Sequence, residues 1–148
     1  MTLDSHREAL LAELREHALV LGEAVLSSGA TAQYLVDAKR AILRPRGFLA
    51  LAALVAARAA EWQATAVGGM TMGADPIACA ALAGGADVKA FFVRKEVKPH
   101  GLARRIEGPL LAPTRAGAHA AAPIAGADAI LGDLLDELLA AGAVRLVT

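Results

Sequence analysis

The chain has 148 residues, a formal net charge of zero from 15 basic and 15 acidic side chains, and 56% hydrophobic residues with only 3% aromatics. That length holds one good core and is short for two, and the balanced charge excludes a nucleic-acid binder that works through an overall basic surface. A core of Ala, Leu and Val is left, which suits helices packed on a parallel sheet.

Met1 to Glu8 mixes charges of both signs without an apolar signal segment. No apolar run reaches the roughly 18 residues of a membrane span, so a cytoplasmic location away from membranes is expected. Ser5-His6-Arg7-Glu8 has the form of a capping box. It would open a helix in which Leu10, Leu11, Leu14, Ala18 and Leu21 repeat at helical spacing. His6 and His17 fall on or near the polar side and are expected in solvent. Val25 to Gly29 and Gln33 to Asp37 then read as two short strands joined by a Gly-containing turn. Pro45 suits the first turn of a helix that runs through Phe48, Leu51, Leu54 and Val55 to near Ala60. Apolar on nearly every side, that helix should be well covered.

Thr65-Ala66-Val67 is a brief apolar run ending in Gly68-Gly69, and Ala74 to Leu82 predicts a helix closed by Gly84-Gly85. Val88 to Val93, rich in Phe and Val, predicts a strand. Strand, Gly loop, helix and strand in that order make the crossover unit of an α/β sheet. The single cysteine, Cys79, sits in an apolar run and is expected to be a small buried thiol. From Leu110 to Ala129 Ala, Gly and Pro dominate and no convincing buried strand is predicted. Ala129 to Ala141 recovers helical spacing, and Val144 to Val147 has strand composition.

Between residues 94 and 108 stand five Lys or Arg and two Asp or Glu, so positive charge is concentrated in a segment of loop composition. Arg94 is suited to grip a phosphate with two parallel hydrogen bonds, while Lys95 and Lys98 supply compact charge. His100 adds a further donor, and Gly101 gives the segment freedom to close. The loop from Gly68 to Asp75 lies where a strand hands over to a helix, the place where backbone amides receive phosphate oxygens. Taken singly, both segments have plainer readings: a solvated charged connection, and a turn demanded by strand-to-helix geometry.

Order adds to composition. Leu26-Ser27-Ser28-Gly29 precedes Tyr34-Leu35-Val36-Asp37-Ala38-Lys39; Gly68-Gly69-Met70-Thr71-Met72-Gly73-Ala74-Asp75-Pro76 follows; Arg94-Lys95-Glu96-Val97-Lys98-Pro99-His100-Gly101 comes third. Across roughly residues 20 to 110, with a weaker echo at 130 to 147, the chain resembles the orotate phosphoribosyltransferases. The resemblance implies an α/β fold of the type I phosphoribosyltransferase class, a parallel sheet flanked by helices, in one domain spanning 1–148. Residues 1–40 would form an N-terminal helix and hairpin hood, 41–148 an incomplete core truncated at the C-terminus, and 110–128 an irregular segment. It further implies orotate and phosphoribosyl pyrophosphate as substrates, Mg2+ bridging the diphosphate, a homodimer, and no nucleic-acid or membrane partner. Tyr34 would lie beside the base. Gly69, Met70, Thr71, Met72 and Gly73 would cradle the diphosphate, with Arg94 and Lys95 on it. Lys98 and His100 would be catalytic, reaching across the dimer interface. Many family members carry a Lys within this loop, near the place where Met72 stands.

Such transferases also carry a strand of consecutive aliphatics, then paired acids, then a Thr- and Gly-rich turn that receives the sugar 5-phosphate at a helix start. The stretch between Leu111 and Leu131 should hold this signature. It reads instead Ala112-Pro113-Thr114-Arg115-Ala116-Gly117-Ala118-His119-Ala120-Ala121-Ala122-Pro123-Ile124-Ala125-Gly126-Ala127-Asp128, with no acid pair and no Thr-Gly turn. The break implies a motif lost by local substitution or by a disrupted reading frame. Two functions follow: the transferase itself, or a catalytically impaired nucleotide-binding or oligomerising remnant. A ligand-responsive regulator on the same fold is a third, for which no DNA-reading helix is evident.

Overall fold

A computed structural model of the chain describes residues 1–25, 29–96, 105–110 and the strand at 124–126. The first helix, α1 (Leu3–Glu13), starts earlier than the Ser5 capping box suggests. Thr2 is its N-cap: the Thr2 hydroxyl accepts the Ser5 N–H at 3.2 Å, and the Ser5 hydroxyl donates to the Thr2 carbonyl at 2.8 Å. Ser5 therefore lies inside the first turn, and Thr2, which also has the extended backbone of a cap, satisfies the orphan amide. Leu10 and Leu14 are buried, but the helix loosens into a π-helical turn, Leu14–Ala18, and the backbone is extended at Leu19. Leu21, expected on the helix, belongs instead to β1 (Leu19–Val25), which pairs antiparallel with β2 (Thr31–Val36). Leu19-Val20-Leu21 satisfies both periodicities over so short a run, and the Asp37 N–H donating to the Ala18 carbonyl at 2.9 Å fixes the extended choice. His6 and His17 are half-buried rather than solvated; His17 Nε2 stands 3.7 Å from the buried Glu13 carboxylate.

A short α2 (Lys39–Ile42) leads to α3 (Pro45–Glu61), which Pro45 opens as expected. Ala50, Leu51, Ala52, Leu54, Val55 and Ala59 bury its core stripe; Leu49 stays exposed. After the Trp62 cap, the Gln63 N–H donates to the Ala60 carbonyl and the Ala64 N–H to the Ala59 carbonyl, a Schellman closure that places Gln63 at φ 51°. A side chain is strained there. Gln63→Gly should raise stability by about 0.5–1 kcal/mol, seen as a higher urea midpoint at unchanged slope; a lower midpoint would contradict the closure.

The main sheet has the order β5-β4-β3-β6. β3 (Ala66–Met70) and β4 (Lys89–Val93) are parallel, with Ala66 opposite Lys89 and Met70 opposite Val93. They are joined through α4 (Asp75–Ala83), the crossover read from the sequence. β5 (Ile106–Glu107) runs antiparallel beside β4. β6 (Ile124–Gly126) runs parallel to β3, with Ala66 opposite Ile124, inside the stretch where no strand was expected. Sheet pairing recruits backbone groups, so three residues with little apolar pattern suffice. Ile77, Ala78, Ala80 and Ala81 face the core from α4, and helical periodicity turns Cys79 outward: the thiol is exposed, contrary to expectation. Leu10, Ile42, Leu51, Val55, Val67 and Ile77 are the largest fully buried side chains, the small-aliphatic core that the composition implies. Among the described residues no helix is long and apolar enough to cross a membrane. The helix and strand expected at 129–141 and 144–147 lie outside the described residues.

Candidate functional site

The site forms where β3 ends, because its last residues give way to a Gly-rich loop before α4. Gly68 is buried and has no room for a side chain: a Cβ there would lie 2.2 Å from the Phe91 carbonyl oxygen of β4. The two strands thus approach flush and carry Gly69 and Met70 to the sheet's C-terminal edge. The Thr71 N–H continues the ladder to the Val93 carbonyl at 2.9 Å, and the Ala74 N–H donates to the Met70 carbonyl at 3.1 Å. The Thr71–Met72 peptide is cis. Among the described residues, the amides of Met72 and Gly73 meet no carbonyl, so two of the five predicted cradle residues offer donors. The Thr71 hydroxyl donates to the Asp75 carboxylate, 2.8 Å to Oδ2 and 3.0 Å to Oδ1, tying the loop to the first turn of α4.

β4 delivers the basic segment to the same edge. Arg94 follows its last residue, and the main chain there is clamped on both sides: the Arg94 N–H donates to the Arg105 carbonyl at 2.8 Å, and Arg105 Nε donates to the Arg94 carbonyl at 3.1 Å. Arg94 Nη1 stands 3.4 Å from Glu107 Oε1. Thr71, Met72, Phe92, Arg94, Lys95, Glu96 and Glu107 line a cleft of about 590 Å³. Within this set two cations face two carboxylates, so the described walls carry no net formal charge.

Of the predicted site residues, the cleft unites Thr71, Met72, Arg94 and Lys95, while Gly69 and Met70 end β3, Gly73 lies in the loop after it, and none of these three lines the cleft. Tyr34 stands partly exposed on the hairpin, opposite Leu21 in β1, and does not line this cleft. Lys98 and His100 lie outside the described residues. Sequence reasoning gave no role to Glu107, Phe92 or the Thr71–Asp75 tie. Phe92 had a signal in the apolar strand pattern; Glu107 had none, because nothing local pairs it with a residue 13 positions earlier.

No protein-family model matches the chain. The orotate phosphoribosyltransferase of Corynebacterium glutamicum is 48% identical over 110 residues, 73% of this chain and 60% of that protein. The chain thus spans about 60% of the length of the curated relatives it matches. Among solved structures, Mycobacterium tuberculosis orotate phosphoribosyltransferase in complex with Fe(III) dicitrate superposes with a TM-score of 0.64 at 32% identity, covering 88% of this chain and 77% of that one. The same enzyme in complex with 5-phospho-α-D-ribosyl 1-diphosphate superposes at 0.55 with 34% identity, covering 71% and 57%.

Proposed function

Because the chain belongs to the orotate phosphoribosyltransferase family, we propose that it acts in the cytoplasm as a homodimer that transfers the phosphoribosyl group from phosphoribosyl pyrophosphate to orotate. Orotate's ring nitrogen bonds to the ribosyl C1 as the bond from C1 to the diphosphate oxygen breaks, and the proton lost from that nitrogen leaves with the diphosphate, giving orotidine monophosphate and pyrophosphate. The observation that carries this reading is the shared cleft, in which Arg94 and Lys95 face the Gly-loop residues Thr71 and Met72. Negative charge grows on the leaving diphosphate in the transition state, and fixed donors aimed at it lower the barrier. In this reading Arg94 and the Met72 and Gly73 amides supply those donors, and Lys95 adds positive charge. Lys98 and His100 complete the set from the adjoining segment, acting on the partner subunit's diphosphate. Tyr34 flanks the base from the hairpin, whose Leu21, Val25, Leu35 and Val36 are exposed; a two-stranded hairpin gains stability when covered, which fits contact with substrate and partner.

Magnesium enters as part of the substrate, held by diphosphate oxygens and water. Among the described residues no three acidic, His or Cys side chains converge on a metal site, and such a substrate-borne ion requires none.

A second reading, a remnant that binds diphosphate without turnover, is favoured by the 112–128 sequence, where acids for the ribose hydroxyls and a turn for the 5-phosphate are missing. Purified protein with both substrates and magnesium separates the two: loss of orotate absorbance with orotidine monophosphate formed is the expected result. Calorimetric binding of phosphoribosyl pyrophosphate without turnover would establish the remnant. Neither binding nor turnover at millimolar substrate would overturn both.

A further inference from the structure

The cleft's charges do not match its proposed ligand. Arg94 and Lys95 are offset by Glu96 and Glu107, and a carboxylate beside a diphosphate repels it. The contact between Arg94 and Glu107 is also loose. At 3.4 Å, with both side chains nearly half exposed at 42% and 46%, it is longer than the about 2.7–2.9 Å of a firm charge-assisted hydrogen bond. Such a pair is readily exchanged. The main chain of Arg94 is fixed by two hydrogen bonds with Arg105, so the side chain alone has freedom to choose a partner. Glu107 is fixed as well: it lies in β5 opposite Phe92, whose side chain lines the same cleft.

Building on the diphosphate reading of this cleft, we infer that Glu107 is a placeholder anion: it holds the Arg94 guanidinium while the subsite is empty, yields it to the entering diphosphate, and reclaims it as pyrophosphate leaves. Glu107 keeps Arg94 pointed at the cleft and spares it an unpaired state, at a cost in ligand affinity. That cost favours product release, since pyrophosphate must compete with a tethered carboxylate for its best donor. Glu107 is a positioning residue, acting through Arg94, and the proposal sets the affinity of the site rather than its chemistry.

The test is calorimetry of the full chain with inorganic pyrophosphate and magnesium, comparing wild type, Glu107→Gln, Arg94→Ala and the double variant. Glu107→Gln preserves shape and removes the charge, and should bind about fivefold more tightly, the scale of one partly exposed ion pair. Glu107→Ala should shift affinity the same way, which keeps the test open should the glutamine variant fold poorly. In the Arg94→Ala background the gain should shrink, because only the direct repulsion between Glu107 and the ligand is then relieved, a coupling that a merely structural Glu107 would not produce. Unchanged or weaker binding by both Glu107 variants overturns the placeholder while leaving the diphosphate site in place. Binding by the variants alone supports the placeholder and refutes a working site in the wild type. Failure of the wild type and of every variant to bind pyrophosphate overturns both.

Discussion

Gly84→Ala should destabilise the fold by about 3 kcal/mol, the upper end of overpacking costs, whereas the same change at neighbouring Gly85 should cost about 1–2 kcal/mol. The two glycines close α4 for different reasons. The Gly85 N–H donates to the Leu82 carbonyl and the Ala86 N–H to the Ala81 carbonyl, a Schellman closure in which Gly85 takes φ +84°. A Cβ on Gly85 would touch nothing within 4 Å, so only backbone strain opposes it. Gly84 has an ordinary φ of −78°, but a Cβ there would lie 2.1 Å from the Ala52 carbonyl oxygen and 2.7 Å from the Ala56 Cβ. Those atoms belong to α3, whose carbonyl cannot rotate away without breaking the helix, so α4 itself must retreat. Its first turn holds Thr71 through Asp75, and the retreat should loosen the Gly loop as well. Urea unfolding measures both variants: the midpoint should fall further for Gly84→Ala, with the slope unchanged. Equal midpoints would show that the two helices do not meet at Gly84.

The same pair shows what the sequence makes legible. Gly84-Gly85 after an apolar run announces a helix end, and Pro45 announces a beginning, because each residue acts on its own backbone. The crossover of β3, α4 and β4 follows from alternating local patterns in the same way. What was missed is non-local. Leu21 sits at helical spacing from Leu14 and Ala18, yet joins a strand because the partner β2 and the Asp37 bond to Ala18 lie well beyond it in the chain. β6 has almost no apolar signature and exists through backbone pairing with β3. In the site, the Gly loop and Arg94 were legible as residue types suited to phosphate. Glu107 was not, because its role is set by the antiparallel return of β5, which no spacing rule gives. An apolar run suggests a buried thiol at Cys79, but the helical period of α4 turns it outward.

Arg94→Ala should weaken binding of phosphoribosyl pyrophosphate, and of pyrophosphate, by about 30-fold, within the roughly 1.5–3 kcal/mol that a hydrogen bond to a charged group supplies. The substitution removes the guanidinium fork and also leaves Glu107 unpaired on the cleft wall, where its charge opposes the ligand. Arg94→Lys keeps the charge but loses the planar two-point grip, so its loss should be smaller, about fivefold. Stability should hardly change in either case, because the pair with Glu107 is half exposed and such pairs contribute little. That contrast distinguishes a ligand-binding arginine from a structural one. If the protein turns over, kcat should fall along with affinity, since the diphosphate carries more charge in the transition state than in the bound substrate and the arginine meets that growth. A variant that binds pyrophosphate as tightly as wild type would mean that Arg94 faces water in function as well as in composition, and the diphosphate assignment of the cleft would go with it.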